Sequence, residues 1–142
     1  MTDRTIAERS TYLPLWNHVT DEYHNAWLRY RPDDPYFVRI DIEDWGTIEA
    51  PRLLLLEGQY QPVVCSGWIA GAWYTLRARP DDEAMYALWE VERGGERTLF
   101  RSPYDMVARL LSGQFELVPM GGEAARIDWD AVVANLLPRD RP

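Results

Sequence analysis

The sequence predicts an α+β domain: an antiparallel β-sheet, a meander around residues 72–101, packed with about three α-helices. Three observations carry this. Gly94-Gly95 separates two strand-like runs by two residues, the spacing of a tight hairpin. Pro80-Asp81-Asp82-Glu83 places a second turn before that hairpin. Trp16, Val19, Tyr23, Ala26 and Tyr30 recur at intervals of 3, 4, 3 and 4, which is helical spacing.

The elements follow in chain order. The first helix begins at Pro14 or at Thr20, and Arg31-Pro32-Asp33-Asp34-Pro35 ends it. Tyr36 to Ile42 alternates, with Tyr36, Val38, Ile40 and Ile42 on one face and Arg39 and Asp41 on the other, as in a half-buried strand. Leu53–Leu56 and Pro62–Ile69 are weaker strand candidates around a turn at Glu57-Gly58-Gln59. The Gly94-Gly95 turn sets Arg93 opposite Glu96, Glu92 opposite Arg97 and Trp89 opposite Phe100. The Pro80 turn, closed by pairing Arg79 with Ala84, places Tyr74, Leu76 and Ala78 beside Trp89, Ala87 and Met85. Ser102-Pro103-Tyr104-Asp105 reads as a capped helix start, with Met106, Val107, Leu110 and Leu111 inward and Gly113 at its end. Phe115–Val118 fits a short strand. Asp128 caps a last helix that turns Val132, Val133, Leu136 and Leu137 inward. One domain spans 1–142, with terminal arms at about 1–9 and 138–142.

Charge and composition bound the chemistry. The 142 residues carry 23 Asp plus Glu against 15 basic residues, a net charge of −8. Such a chain has no electrostatic reason to hold nucleic acid or an anionic membrane. Every basic residue is Arg, so amine chemistry by Lys is absent. The single cysteine, Cys65, excludes an internal disulfide and a multi-cysteine zinc site, and its apolar neighbours suit an inert thiol. With no signal pattern at the start and an apolar run such as Leu53 to Leu56 far too short to span a bilayer, the expectation is a cytoplasmic protein. His18 and His24 diverge if they share a helix, so no metal is expected there, whereas on a strand His18, Glu22 and His24 would share a face and could hold one. No nucleophile elbow or phosphate loop occurs, so neither catalytic residues nor a cofactor is expected.

What remains is surface. Asp33, Asp34, Asp41, Glu43, Asp44, Glu49 and Glu57 outnumber Arg39 and Arg52 between residues 33 and 57. Among them lies Trp45, which either folds back into the core or anchors a partner. Asp41, Glu43, Asp44, Trp45 and Glu49 form the candidate contact for a basic protein partner. The meander's other face, with Trp73, Arg77, Tyr86, Leu88, Glu90, Leu99 and Arg101, is covered by a helix or serves as a contact, including a homodimer through Trp73 and Leu88.

Tyr86-Ala87-Leu88-Trp89-Glu90, Arg97 to Ser102 and Asp105 to Leu111 together resemble the strand–strand–helix segment of small bacterial immunity proteins that neutralise secreted toxins, type VII or polymorphic. The resemblance implies a cytoplasmic, non-enzymatic antagonist from a bacterium or phage that occludes a basic toxin. The alternative is a small enzyme or ligand-binding protein whose site is assembled from scattered Tyr, Trp, Asp and Arg residues.

Overall fold

The computed structural model describes residues 8–69 and 71–136. Eight strands dominate it: β1 (Arg9–Asn17), β2 (Tyr23–Arg31), β3 (Asp34–Ile42), β4 (Gly46–Pro51), β5 (Val63–Ile69), β6 (Ala72–Pro80), β7 (Tyr86–Arg93) and β8 (Glu96–Pro103). All pairings are antiparallel, in the order β4-β3-β2-β1-β8-β7-β6-β5. Two four-stranded meanders are thus joined through β1 and β8, where Trp16 pairs with Arg101 and Asn17 with Phe100. The free edges, β4 and β5, approach without a ladder between them, so the sheet is nearly a closed barrel. This corrects the expected sheet packed with about three helices. One main helix, α2 (Tyr104–Leu117), accompanies the short α1 (Arg52–Glu57) and α3 (Trp129–Leu136).

The predicted first helix is two strands. His24, Ala26, Leu28 and Tyr30 are buried while their neighbours on β2 face outward, a period of two. Trp16, Val19, Tyr23, Ala26 and Tyr30 therefore share no face; Val19 lies exposed in the turn. Neither Gly nor Pro marks that turn. The Asn17 side-chain oxygen accepts the amides of Val19 at 2.9 Å and Thr20 at 3.1 Å, and Asp21 adopts φ 62°. Arg31-Pro32-Asp33-Asp34-Pro35 connects two strands rather than ending a helix.

The second meander follows the sequence more closely. Trp89 pairs with Phe100, Glu92 with Arg97 and Arg93 with Glu96, as the Gly94-Gly95 turn requires. Between β6 and β7 the register differs: Tyr74 pairs with Arg93 and Ala78 with Trp89, a slide of four residues. The connecting loop is longer than predicted, because the Asp81 carboxylate accepts the amides of Met85 and Tyr86 and Ala84 turns at φ 54°. A slide of even length keeps every side chain on its face, so Tyr74, Leu76, Ala78, Ala87 and Trp89 remain buried while Met85 is exposed.

The helices depart in other ways. Leu53–Leu56 is the body of α1. Ser102 belongs to β8, and its buried hydroxyl donates to the Pro14 carbonyl at 2.7 Å instead of capping α2. Residues Tyr104–Leu117 form one helix, so neither Gly113 as its end nor Phe115–Val118 as a strand holds. Val133 is 50% exposed; Val132, Leu136 and Leu137 lie outside the described side chains.

Inside the barrel, Leu13, Leu15, Leu28, Val38, Ile40, Ile48, Leu76, Val91 and Phe100 pack into one core, to which α2 adds Val107 and Leu111. Burial of this apolar surface is the main stabilising force. At the open seam Tyr74 lies beneath Gly67, where a Cβ would collide with its hydroxyl. From there that hydroxyl donates to the Glu49 carbonyl and accepts the Glu49 amide at 3.1 Å, so β6 satisfies the exposed edge of β4.

Candidate interaction surfaces

The β3–β4 turn holds the acidic candidates. Asp44 adopts φ 62° and Gly46 φ 140°, which sets Trp45 back over the barrel mouth. The Trp45 ring meets Phe100 edge-on, centroids 5.6 Å apart. Arg93 lies across its other side at 3.9 Å from the ring centroid and donates to the Trp45 carbonyl at 2.8 Å. A side chain at Gly46 would strike the Arg93 guanidinium. Trp45 is therefore a half-buried stopper with one edge in solvent. Arg93 is the residue that sequence reasoning missed; it is distant in the chain and carries no local signal.

Glu43 and Asp44 are exposed beside it. Asn25 donates to Glu43 at 3.3 Å, and the Glu43 carbonyl lies 3.0 Å from Nδ1 of His24. Asp41 and Glu49 stand on the outer face of β3 and β4, where Glu49 pairs with Arg39, while Trp45 turns inward over the mouth. Asp41 is not free: Arg29 and Arg39 pair with it and Thr47 donates to it at 2.7 Å. Burial pushes the Asp41 carboxyl up, but the Thr47 and Arg29 hydrogen bonds and the two arginine charges outweigh this and hold it below the usual range.

The outer face of β5–β8 differs. Cross-strand pairing lays it out in rows: Trp68 and Trp73; Ser66, Thr75, Glu92 and Arg97; Val64, Arg77, Glu90 and Leu99; Arg79, Leu88 and Arg101. Trp68 and Trp73 are 66% and 57% exposed, with ring centroids 6.2 Å apart. Leu88 points away from the core yet is buried among its neighbours on this face. Among the described residues no helix covers the Trp68–Trp73 end, in contrast to one expected alternative.

Other chemistry finds little support. Cys65 is half-buried, and burial pushes its thiol up, away from the reactive thiolate. Among the described residues no group of three or more His, Cys, Asp and Glu is placed to hold a metal. His18 and His24 lie in a turn and a strand rather than on one helix, with His24 Nε2 at 3.9 Å from Glu22. Among the described residues no helix is long and apolar enough to cross a membrane.

No protein-family model and no curated protein sequence matches the chain. Solved structures do. One, from work on SsgB mutations that correlate with longitudinal cell division during sporulation of Streptomyces coelicolor, shares 21% identity and a TM-score of 0.72. The match covers 87% of this chain and 97% of that one. A second, an SsgA-like sporulation-specific cell division protein from Thermobifida fusca, shares 23% identity and a TM-score of 0.67. It covers 96% of this chain and 100% of that one. These likenesses share the fold over nearly the whole chain. They overturn the resemblance to toxin-immunity proteins, which rested on a strand–strand–helix segment common to many folds, and with it the reading as a toxin antagonist.

Proposed function

We propose that the chain is a non-enzymatic, protein-binding component of bacterial cell division during sporulation, acting in the cytoplasm. The observation that carries this is the likeness, over almost the full length of both chains, to two structures described as sporulation cell-division proteins. The interior supports a binding role, since side chains rather than a ligand cavity fill the barrel. Fold likeness alone is an argument by analogy, and the surfaces supply the rest.

On this reading the corner formed by Asp41, Glu43, Asp44, Trp45 and Glu49 contacts a basic protein partner. Glu43 and Asp44 attract it from solution, and the open edge of Trp45 packs against it. The test is a fluorescent fusion in sporulating Streptomyces coelicolor. It is expected to concentrate at division septa, and its overproduction is expected to change their spacing. Uniform fluorescence throughout sporulation with normal septa overturns the proposal.

A further inference from the structure

The outer face of β5–β8 differs in charge and apolar content from the acidic corner. Residues Pro62 to Leu76 contain no charged side chain, in a chain that is 27% charged. From this stretch Pro62, Val63 and Val64 form one wall of an open groove of about 270 Å³, lined also by Arg77, Arg79, Leu88, Glu90 and Leu99. That volume falls below the ~300–1,000 Å³ of small-molecule sites, and suits one large side chain. Leu88 sits in register between two arginines, Arg79 and Arg101.

Charge decides what enters. Although the chain is strongly acidic, Arg77, Arg79, Arg97 and Arg101 outnumber Glu90 and Glu92 on this face. Arg97 holds Glu92 at 3.2 Å and reaches Glu90, which also lines the groove, only at 3.9 Å, and Arg101 is taken by Asp21. Arg77 reaches Glu92 only at 3.9 Å. Among the described residues Arg79 has no carboxylate within ion-pair distance. Asp81, Asp82 and Glu83 line the next depression beyond Arg79, and the Asp81 carboxylate is committed to its own loop. An anionic segment is therefore drawn from Arg79 toward Arg77, away from that loop.

We infer that this groove docks an extended segment of a protein partner that presents one large apolar side chain flanked by carboxylates. The apolar side chain packs on Val64 and Leu99 above the buried Leu88, and the carboxylates meet Arg77 and Arg79. The inference rests on the protein-binding reading above but not on where in the cell the chain acts.

The test is an NMR titration of the isotope-labelled chain with a synthetic decapeptide bearing one Phe among Asp and Glu residues. Two further peptides replace its acids by Lys or its Phe by Ser. Amide shifts confined to β5–β8 are expected for the first peptide, with at least tenfold weaker binding of the other two. In Arg77→Glu/Arg79→Glu, both changes on exposed side chains, the acidic peptide is expected to lose at least tenfold and the lysine peptide to gain. No shifts at millimolar peptide, equal binding of the lysine peptide, or shifts centred on the β3–β4 turn overturn the proposal. So does sedimentation showing that this face is closed by a second copy of the chain. Peptide binding without septal localisation of the fusion would refute the division role and leave the groove standing.

Discussion

Each end of the barrel is closed by an arginine lying on an aromatic ring. At the mouth formed by the β3–β4 and β7–β8 turns, Arg93 covers Trp45 at 3.9 Å and remains partly in solvent. At the opposite end, where β4 and β8 run into helices, Arg52 lies 4.1 Å from the Phe115 ring centroid and is fully buried. There its Nη2 pairs with Glu123 at 3.1 Å, and its Nη1 donates to the Gln114 carbonyl at 3.2 Å. The same pair of residue types thus does two jobs. A guanidinium that keeps contact with water covers a ring at little desolvation cost and can be displaced by a partner. A guanidinium taken out of water must keep its carboxylate, and so ties α1, α2 and the segment around Glu123 into one unit. A binding surface belongs at the first end and a structural clasp at the second.

The largest expected effect breaks the clasp. Arg52→Ala leaves Glu123 without its partner and opens space beside Phe115 and Tyr30, so it should cost ~3 kcal/mol or more in denaturant unfolding. Arg52→Met combined with Glu123→Gln removes both charges and should recover part of that loss. If the single and double variants unfold alike, the ion pair is not what closes this end. Next comes Trp45→Ala at the other mouth. It removes a half-buried ring from Phe100 and should cost about 2 kcal/mol, below the range for a fully buried aromatic. An equal loss at both ends would erase the distinction drawn here. Arg93→Ala is expected to cost about 1 kcal/mol, typical of a partly exposed cation–ring contact, and to raise the solvent quenching of Trp45 fluorescence.

The smallest effect is a titration. Glu123 is held below the ordinary glutamate value by the bond from its own amide and then by Arg52. A carboxyl depressed on folding stabilises the native state above its unfolded pKa, and that contribution is lost as pH falls through the folded pKa. Acidification should therefore loosen the clasp. Asp41 on the outer face titrates in the same direction, so a local readout is needed. The protection factors of residues 118–126, corrected for the intrinsic pH dependence of amide exchange, should fall in acid, and Glu123→Gln should remove that dependence. An acid response unchanged in this variant would assign it to the other depressed carboxyls, Asp33 and Asp41, instead.

How legible these ends were in the sequence depended on distance along the chain. The Gly94-Gly95 hairpin could be read because two residues that accept positive φ stand between alternating runs. The Asn17–Glu22 turn could not, because its positive φ falls on Asp21 and its support on the Asn17 side chain. With that turn hidden, the chance spacing of Trp16, Val19, Tyr23, Ala26 and Tyr30 imitated a helix. The alternation of His24, Ala26, Leu28 and Tyr30 lay in the same residues. Ser102-Pro103 has the composition of a cap, but the serine's acceptor is Pro14, on a strand that no local pattern pairs with β8. The acidic corner was legible as composition. Its stopper was not, because Trp45 and Arg93 meet only when the barrel closes.

The union of the two meanders through β1 and β8 bears on how the chain reaches this structure. Every other ladder joins consecutive strands and can form as a local hairpin. Only the β1–β8 ladder, resting on Trp16 with Arg101 and Asn17 with Phe100, must first gather strands from opposite ends of the series. Closing so long a loop carries an entropic cost that local pairing does not, and topologies rich in such contacts fold slowly. The halves should therefore form early and join late. A circular permutant opened between α1 and β5, with the original termini linked, would carry β8 and β1 nearer in sequence and should hasten the joining step. The seam where the barrel is open in space is also where its chain can be cut at least cost to its ladders.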